Sequence, residues 1–149
     1  MSSDIKLQID TEVKSAMRAR DKQRLGVLRL TMSELKKVEV DERIELDDQR
    51  VLAILDKMSK QRKDSLSQYS SAGRDDLAAQ ESFELEVLKE FMPEQLSAAE
   101  LKTLVDAAIE KAGATSIRDM GKVMGILKPQ VQGRADMGEV GSLVKADLG

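Results

Sequence analysis

Apolar residues recur at every third or fourth position along most of this 149-residue chain, an interval that places them on one side of a helix. Ile5, Ile9, Val13 and Met17 mark a first amphipathic helix near residues 4–19, and Asp21 is placed to cap a second with the stripe Leu25, Leu28, Met32, Leu35 and Val38. Asp47 can cap a long third helix carrying Val51, Leu55, Met58, Leu66 and Tyr69, which Gly73 ends; Leu77, Leu85, Leu88 and Phe91 continue the phase until Pro93. Beyond Pro93 come three shorter stretches, each with its own start signal. Ser97 with Glu100 opens the stripe Leu101, Leu104, Val105, Ala108 and Ile109, stopped by Gly113. Ser116 with Asp119 opens Ile117, Met120, Met124, Leu127 and Val131, stopped by Gly133, and Asp136 with Glu139 opens the last helix. The pattern predicts an all-α fold. Residues 1–92 form an N-terminal lobe of long antiparallel helices, residues 97–149 a small C-terminal three-helix domain, and Phe91 to Leu96 a hinge. Tyr69, Phe83 and Phe91, the only aromatic residues, read as packing.

Gly121 and Gly125 sit inside a helical stretch, where each costs about 1 kcal/mol relative to alanine. At roughly 100° per residue, Arg118, Gly121, Lys122 and Gly125 share the flank beside the apolar stripe, a strip of bare backbone rimmed by cations. Either an external backbone, such as the phosphates of a nucleic acid, approaches there, or a neighbouring helix of the same domain does. From Met120 to Ala135 the only charged residues are Lys122, Lys128 and Arg134.

A second charge bias lies earlier. From Lys14 to Lys37 the chain carries Lys14, Arg18, Arg20, Lys22, Arg24, Arg29, Lys36 and Lys37 against Asp21 and Glu34 alone. Such a run either steers an anionic partner or is a solvated helix face. The acids Asp41, Glu42, Glu45 and Asp47 that follow read as a charged connection from Glu39 to Asp48; they lack the glycine and final glutamate of a calcium loop, so no metal site is expected.

Composition narrows the chemistry. With no cysteine and no histidine, thiolate nucleophiles, Ser-His-Asp triads and the usual zinc sites are all excluded. Net charge is -3, so any nucleic-acid binding is local, and 2% aromatic residues supply few stacking platforms. No apolar run reaches signal-peptide or membrane-spanning length, and the expectation is a soluble, cytoplasmic protein without cofactor, membrane partner or DNA partner.

Met92-Pro93-Glu94-Gln95-Leu96-Ser97, Asp119-Met120-Gly121-Lys122-Val123-Met124-Gly125 and Gly133-Arg134-Ala135-Asp136 resemble the signature blocks of the YqeY-like family. Arg20-Asp21-Lys22, Val27-Leu28-Arg29 and Gln61-Arg62-Lys63-Asp64-Ser65 extend the resemblance over nearly the whole chain. That family is similar to the C-terminal tail of GatB, the B subunit of the glutamine-dependent tRNA amidotransferase. The resemblance implies an all-helical fold and a tail that contacts the tRNA body, with chemistry carried by other parts of that enzyme. It also brings the label of carbon-nitrogen ligase with glutamine as amide donor. This sequence has nothing that looks like the subunit's kinase-like cradle or the Gly/Ser-rich amidase region, and a cysteine-based glutaminase is impossible here.

Together these features predict a non-catalytic, tRNA-associated helical protein, an accessory to an amidotransferase or another tRNA-processing assembly. Lys122, Lys128 and Arg134, with Arg118, would contact phosphates, Gly121 and Gly125 would allow close approach, and Arg18, Arg20, Lys22 and Arg24 would extend the footprint. A protein-interaction module whose glycine-bearing helix packs on a partner helix is the alternative. An enzyme using Ser116 or Thr115 near Lys122 is a third, although helix capping accounts for Ser116. The non-catalytic reading predicts that the isolated protein releases no ammonia from glutamine, with or without charged tRNA. Turnover above the buffer blank that a single point substitution abolishes would overturn it.

Overall fold

The computed structural model describes residues 3–149, so the first two residues of the expected 1–92 lobe lie outside the described residues. Among the described residues there are seven α-helices, one 3-10 turn and no strand, an all-α fold. The helices are α1 (Asp4–Ala19), α2 (Lys22–Glu42), α3 (Asp48–Ser71), α4 (Asp75–Lys89), α5 (Ala98–Ala112), α6 (Met120–Val131) and α7 (Met137–Leu148). They fall into two compact units, one ending at Met92 and the other beginning at Pro93.

In the first unit short side chains fix the helix starts. Ser3 accepts from the Lys6 N–H at 3.1 Å, Asp21 from Arg24 N–H at 3.2 Å, and Asp47 from Arg50 N–H at 2.8 Å. The Asp48 carboxylate accepts from the Ser3 hydroxyl and from Ile5 N–H, which holds it below the usual carboxylate range. Only Arg20 and Asp21 separate α1 from α2, and Arg20 takes the left-handed conformation at φ 56°. The two helices run antiparallel, tied by Lys6 to Glu39 at 2.6 Å and Arg24 to Glu12 at 3.0 Å. α3 and α4 make a second antiparallel pair, turned at Gly73 (φ 72°) and joined by Arg62 to Glu84 at 3.4 Å. The core between them holds Ile9, Leu28, Leu35, Leu46, Val51, Leu55, Leu88 and Phe91, with Phe83 packed against it.

Two details depart from the periodicity. Met17 is 50% exposed and Ala16 is buried in its place, because a row spaced strictly by four drifts about 40° around the helix at each step. The charged connection is shorter than its composition suggests, since α2 continues to Glu42. Glu39 takes a bond from Lys6 and another from Leu46 N–H, so this last turn is held by charge instead of apolar burial.

In the second unit Ser97 and Glu100 form a reciprocal capping box, at 3.1 Å from Glu100 N–H to the hydroxyl and 3.2 Å from Ser97 N–H to the carboxylate. α5 ends at left-handed Gly113, and Gly133 (φ 75°) follows α6. The Ser116 box does not form. The Ser116 hydroxyl makes no capping bond; Asp119 accepts from Thr115 N–H at 3.0 Å, and the chain enters α6 through the 3-10 turn Ile117–Asp119. Asp136 caps α7 by accepting from Gly138 N–H at 2.7 Å. Leu101, Val105, Val123, Leu127, Val131, Val140 and Val144 build the core.

Glu39 gives a pH-dependent test of the first unit. Its folded pKa is lowered, chiefly by the Lys6 hydrogen bond, so its contribution is complete above the ordinary glutamate pKa and is lost as pH falls through the lower folded value. Glu39→Gln is expected to cost about 1 kcal/mol near neutral pH, a partly exposed pair being worth no more. The difference from the unsubstituted protein should shrink on acidification below the ordinary glutamate pKa, as read by urea denaturation at neutral and at acidic pH.

Candidate functional site

α6 lies against both α5 and α7. Its buried line is Val123, Leu127 and Val131, with Met120 and Met124 partly covered beside it. Packing on two sides brings Val123 into the buried line, and the 3-10 entry, which winds more tightly than an α-helix, takes Ile117 out of the stripe and leaves it 45% exposed. The glycines stand on the side away from the buried line. Gly121 and Gly125 are both exposed, and a β-carbon built on either would meet no heavy atom within 4 Å beyond the nearby helix backbone. Close packing by a neighbouring helix of the same unit is therefore not what these glycines serve.

Arg118, Lys122 and Lys128 are exposed on α6 and its entry turn, and none makes an ion pair within 4 Å among the described residues. Lys122 lies close enough to Asp119 to help hold that carboxyl below its usual range, behind the larger effect of the Thr115 N–H. Pro129, inside the same helix, has no N–H to offer the Gly125 carbonyl four residues before it. The outer face of α6 thus combines uncovered backbone, a carbonyl without its usual helical donor, and three cations.

Arg134 has a different place. Its Nε donates to the Glu94 carbonyl at 3.2 Å and its own carbonyl accepts from Leu96 N–H at 2.8 Å, while Gln95 Nε2 donates to the Gly133 carbonyl at 3.0 Å. The blocks around Gln95 and Gly133 are stitched to each other, and Arg134 is part of that stitch. Arg24 is also a structural clamp. Its Nη1 reaches Glu90 at 2.6 Å and its Nη2 reaches Glu90 at 3.1 Å and Glu12 at 3.0 Å, which raises the guanidinium pKa, mostly through Glu90. Arg18, Arg20 and Lys22 are exposed around the α1–α2 turn. Sequence reasoning had no signal for the partners of Arg24 and Arg134, since they lie 12, 66 and 40 residues away.

Two depressions elsewhere are less suited to an anion. A shallow depression of about 510 Å³ at the end of α5 is lined by Asp106, Glu110 and Asp147, whose charges would repel phosphate. A second of about 330 Å³ lies between Leu7, Met32 and Leu46. Glu81 is raised by burial and by neighbouring Glu84, but Glu84 already faces Arg62 at 3.4 Å.

The family model described as Yqey-like protein matches residues 6–148. "Altered inheritance of mitochondria protein 41, mitochondrial" of Saccharomyces cerevisiae (strain ATCC 204508 / S288c) is 30% identical over 121 residues, covering 76% of this chain and 65% of that protein. The same-named protein of Vanderwaltozyma polyspora is 30% identical over 122 residues with the same coverage. That of Pyrenophora tritici-repentis is 26% identical over 130 residues, 86% of this chain and 71% of its own length. The chain thus spans about two thirds, 65%, of the yeast relatives it matches. Their mitochondrial names overturn the cytoplasmic expectation, which rested on short apolar runs that do not distinguish compartments. Among the described residues no helix is long and apolar enough to cross a membrane.

The open glycines generate a stability prediction. Gly125→Ala should stabilise the second unit by about 1 kcal/mol and Gly121→Ala, in the first turn of α6, by less, because alanine gains helix propensity and meets no obstacle. A thermal melt that falls for either variant would mean a close packing interaction is being disturbed.

Proposed function

The chain belongs to the YqeY-like family, and on that premise we propose that it is a non-catalytic RNA-binding protein that holds the phosphate backbone of a folded tRNA against the outer face of α6. The observation that carries this reading is the open space over Gly121 and Gly125, a costly arrangement inside a helix that no contact within the unit explains. Arg118, Lys122 and Lys128 supply charge-assisted hydrogen bonds to phosphate oxygens, and the glycines let the ribose-phosphate chain come down to the helix backbone. Scarce aromatic residues fit recognition of RNA shape, and the similarity of the family to the GatB tail names tRNA as the candidate. An accessory place beside an amidotransferase or another tRNA-processing assembly accords with the absence of Cys-based or His-based catalysis.

Arg134 belongs to the stitch at Glu94 and is left out of the test. Replacing Arg118, Lys122 and Lys128 together with glutamate should leave melting unchanged and weaken tRNA binding by several kcal/mol at low salt, about 1 kcal/mol or more for each cation that no longer reaches a phosphate. The slope of log Kd against log salt should fall by about 0.9 for each duplex phosphate no longer neutralised. Unchanged melting with unchanged binding would reject this face as an RNA site and favour the protein-interaction reading.

A further inference from the structure

The first unit repeats the device seen on α6. Gly26 lies inside α2, is exposed, and a β-carbon built there would meet nothing within 4 Å. Lys22 stands one turn before it and Arg29 one turn after, as Lys122 and Lys128 stand around Gly125. Lys22, Arg29 and Lys36 continue at intervals of seven, so they form a nearly straight row with about 10.5 Å between successive cations. All three are exposed, and none makes an ion pair within 4 Å among the described residues. The acid one turn beyond Lys36, Glu39, faces inward to Lys6 at 2.6 Å, and it is close enough for Lys36 to contribute to its lowered pKa.

We infer that the outer face of α2 is a second phosphate-backbone binding surface, separate in sequence and in unit from the one on α6 and directed at the same class of ligand, a folded RNA. The inference rests on the proposed RNA reading only for the identity of that ligand. Charge complementarity sets the occupant: the row presents cations and an uncovered stretch of backbone, with no acidic side chain between Lys22 and Lys36 on that face. An anionic membrane is the less suitable partner. The exposed aliphatic residues on this helix, Leu30 and Val40, are 40% and 64% exposed but stand ten residues apart, about 15 Å, and the helix's continuous apolar stripe is turned into the core.

The test uses the full chain with tRNA as the probe. Lys22, Arg29 and Lys36 are replaced together with glutamine, which keeps helix propensity and adds no repulsion, and separately with glutamate. Both variants should melt as the unsubstituted protein does. Affinity at low salt should fall by about tenfold or more, and the log-log salt slope by roughly 0.9 for each phosphate no longer neutralised. The α6 substitution is measured beside them. If the α6 variant loses affinity and the α2 variants keep it, the α2 surface is rejected while the proposed function stands. If the α2 variants alone lose affinity, this inference stands and the α6 reading falls. If neither matters, both fail. Unchanged tRNA binding, with binding to phosphatidylglycerol vesicles abolished by Leu30→Ser and Val40→Ser, would reject RNA in favour of a lipid surface. Should glutamate lower the melting temperature, the glutamine variant decides.

Discussion

Hydrogen bonds from helix-start N–H groups to short side chains fix where most helices of this chain begin. Ser3, Asp21, Asp47, Ser97 and Asp136 each accept such a bond at the beginning of α1, α2, α3, α5 and α7. Within each helix the 3.6-residue period decides which side chains share a face, and the apolar line turns its face to the core. Both cores are almost entirely aliphatic, and so position is set by phase more than by large anchoring side chains. Gly26 on α2 faces outward because Leu28, Thr31 and Leu35 take the buried side.

α6 is the informative exception. Neither Asp119 nor Ser116 caps it through its side chain, and the chain enters it through a 3-10 turn that leaves Ile117 exposed. The glycines, placed by the sequence on a flank, end up facing away from the packed neighbours. Within a stable unit that arrangement is a sacrifice of helix propensity, and the adjacent cations give it a use. The same combination on α2 makes a coincidence of composition a weaker explanation for both.

Much of the architecture was legible in the sequence. The bounds of α1, the caps at Asp21, Asp47 and Ser97, and the stops at Gly73 and Gly113 are local chemistry, readable within a few residues. What was not legible depended on distance. Arg24 looked like a surface cation until Glu12 and Glu90 were brought to it, and Arg134 until Glu94 was. The burial of Val123 required knowing that the helix is packed on two sides. The stitch between the blocks at Gln95 and Gly133 also gives a structural reason for those residues, one that the sequence presented only as family signatures.

If the uncovered helix backbone on α6 exists for an RNA to approach, filling it should cost binding without costing stability. The most direct measurement pairs a melting curve with a tRNA binding isotherm on Gly121→Ala/Gly125→Ala, where the charges are untouched and only the close approach is obstructed. A higher melting temperature together with weaker binding is the expected result. A higher melting temperature with unchanged affinity would contradict an RNA role for the bare face.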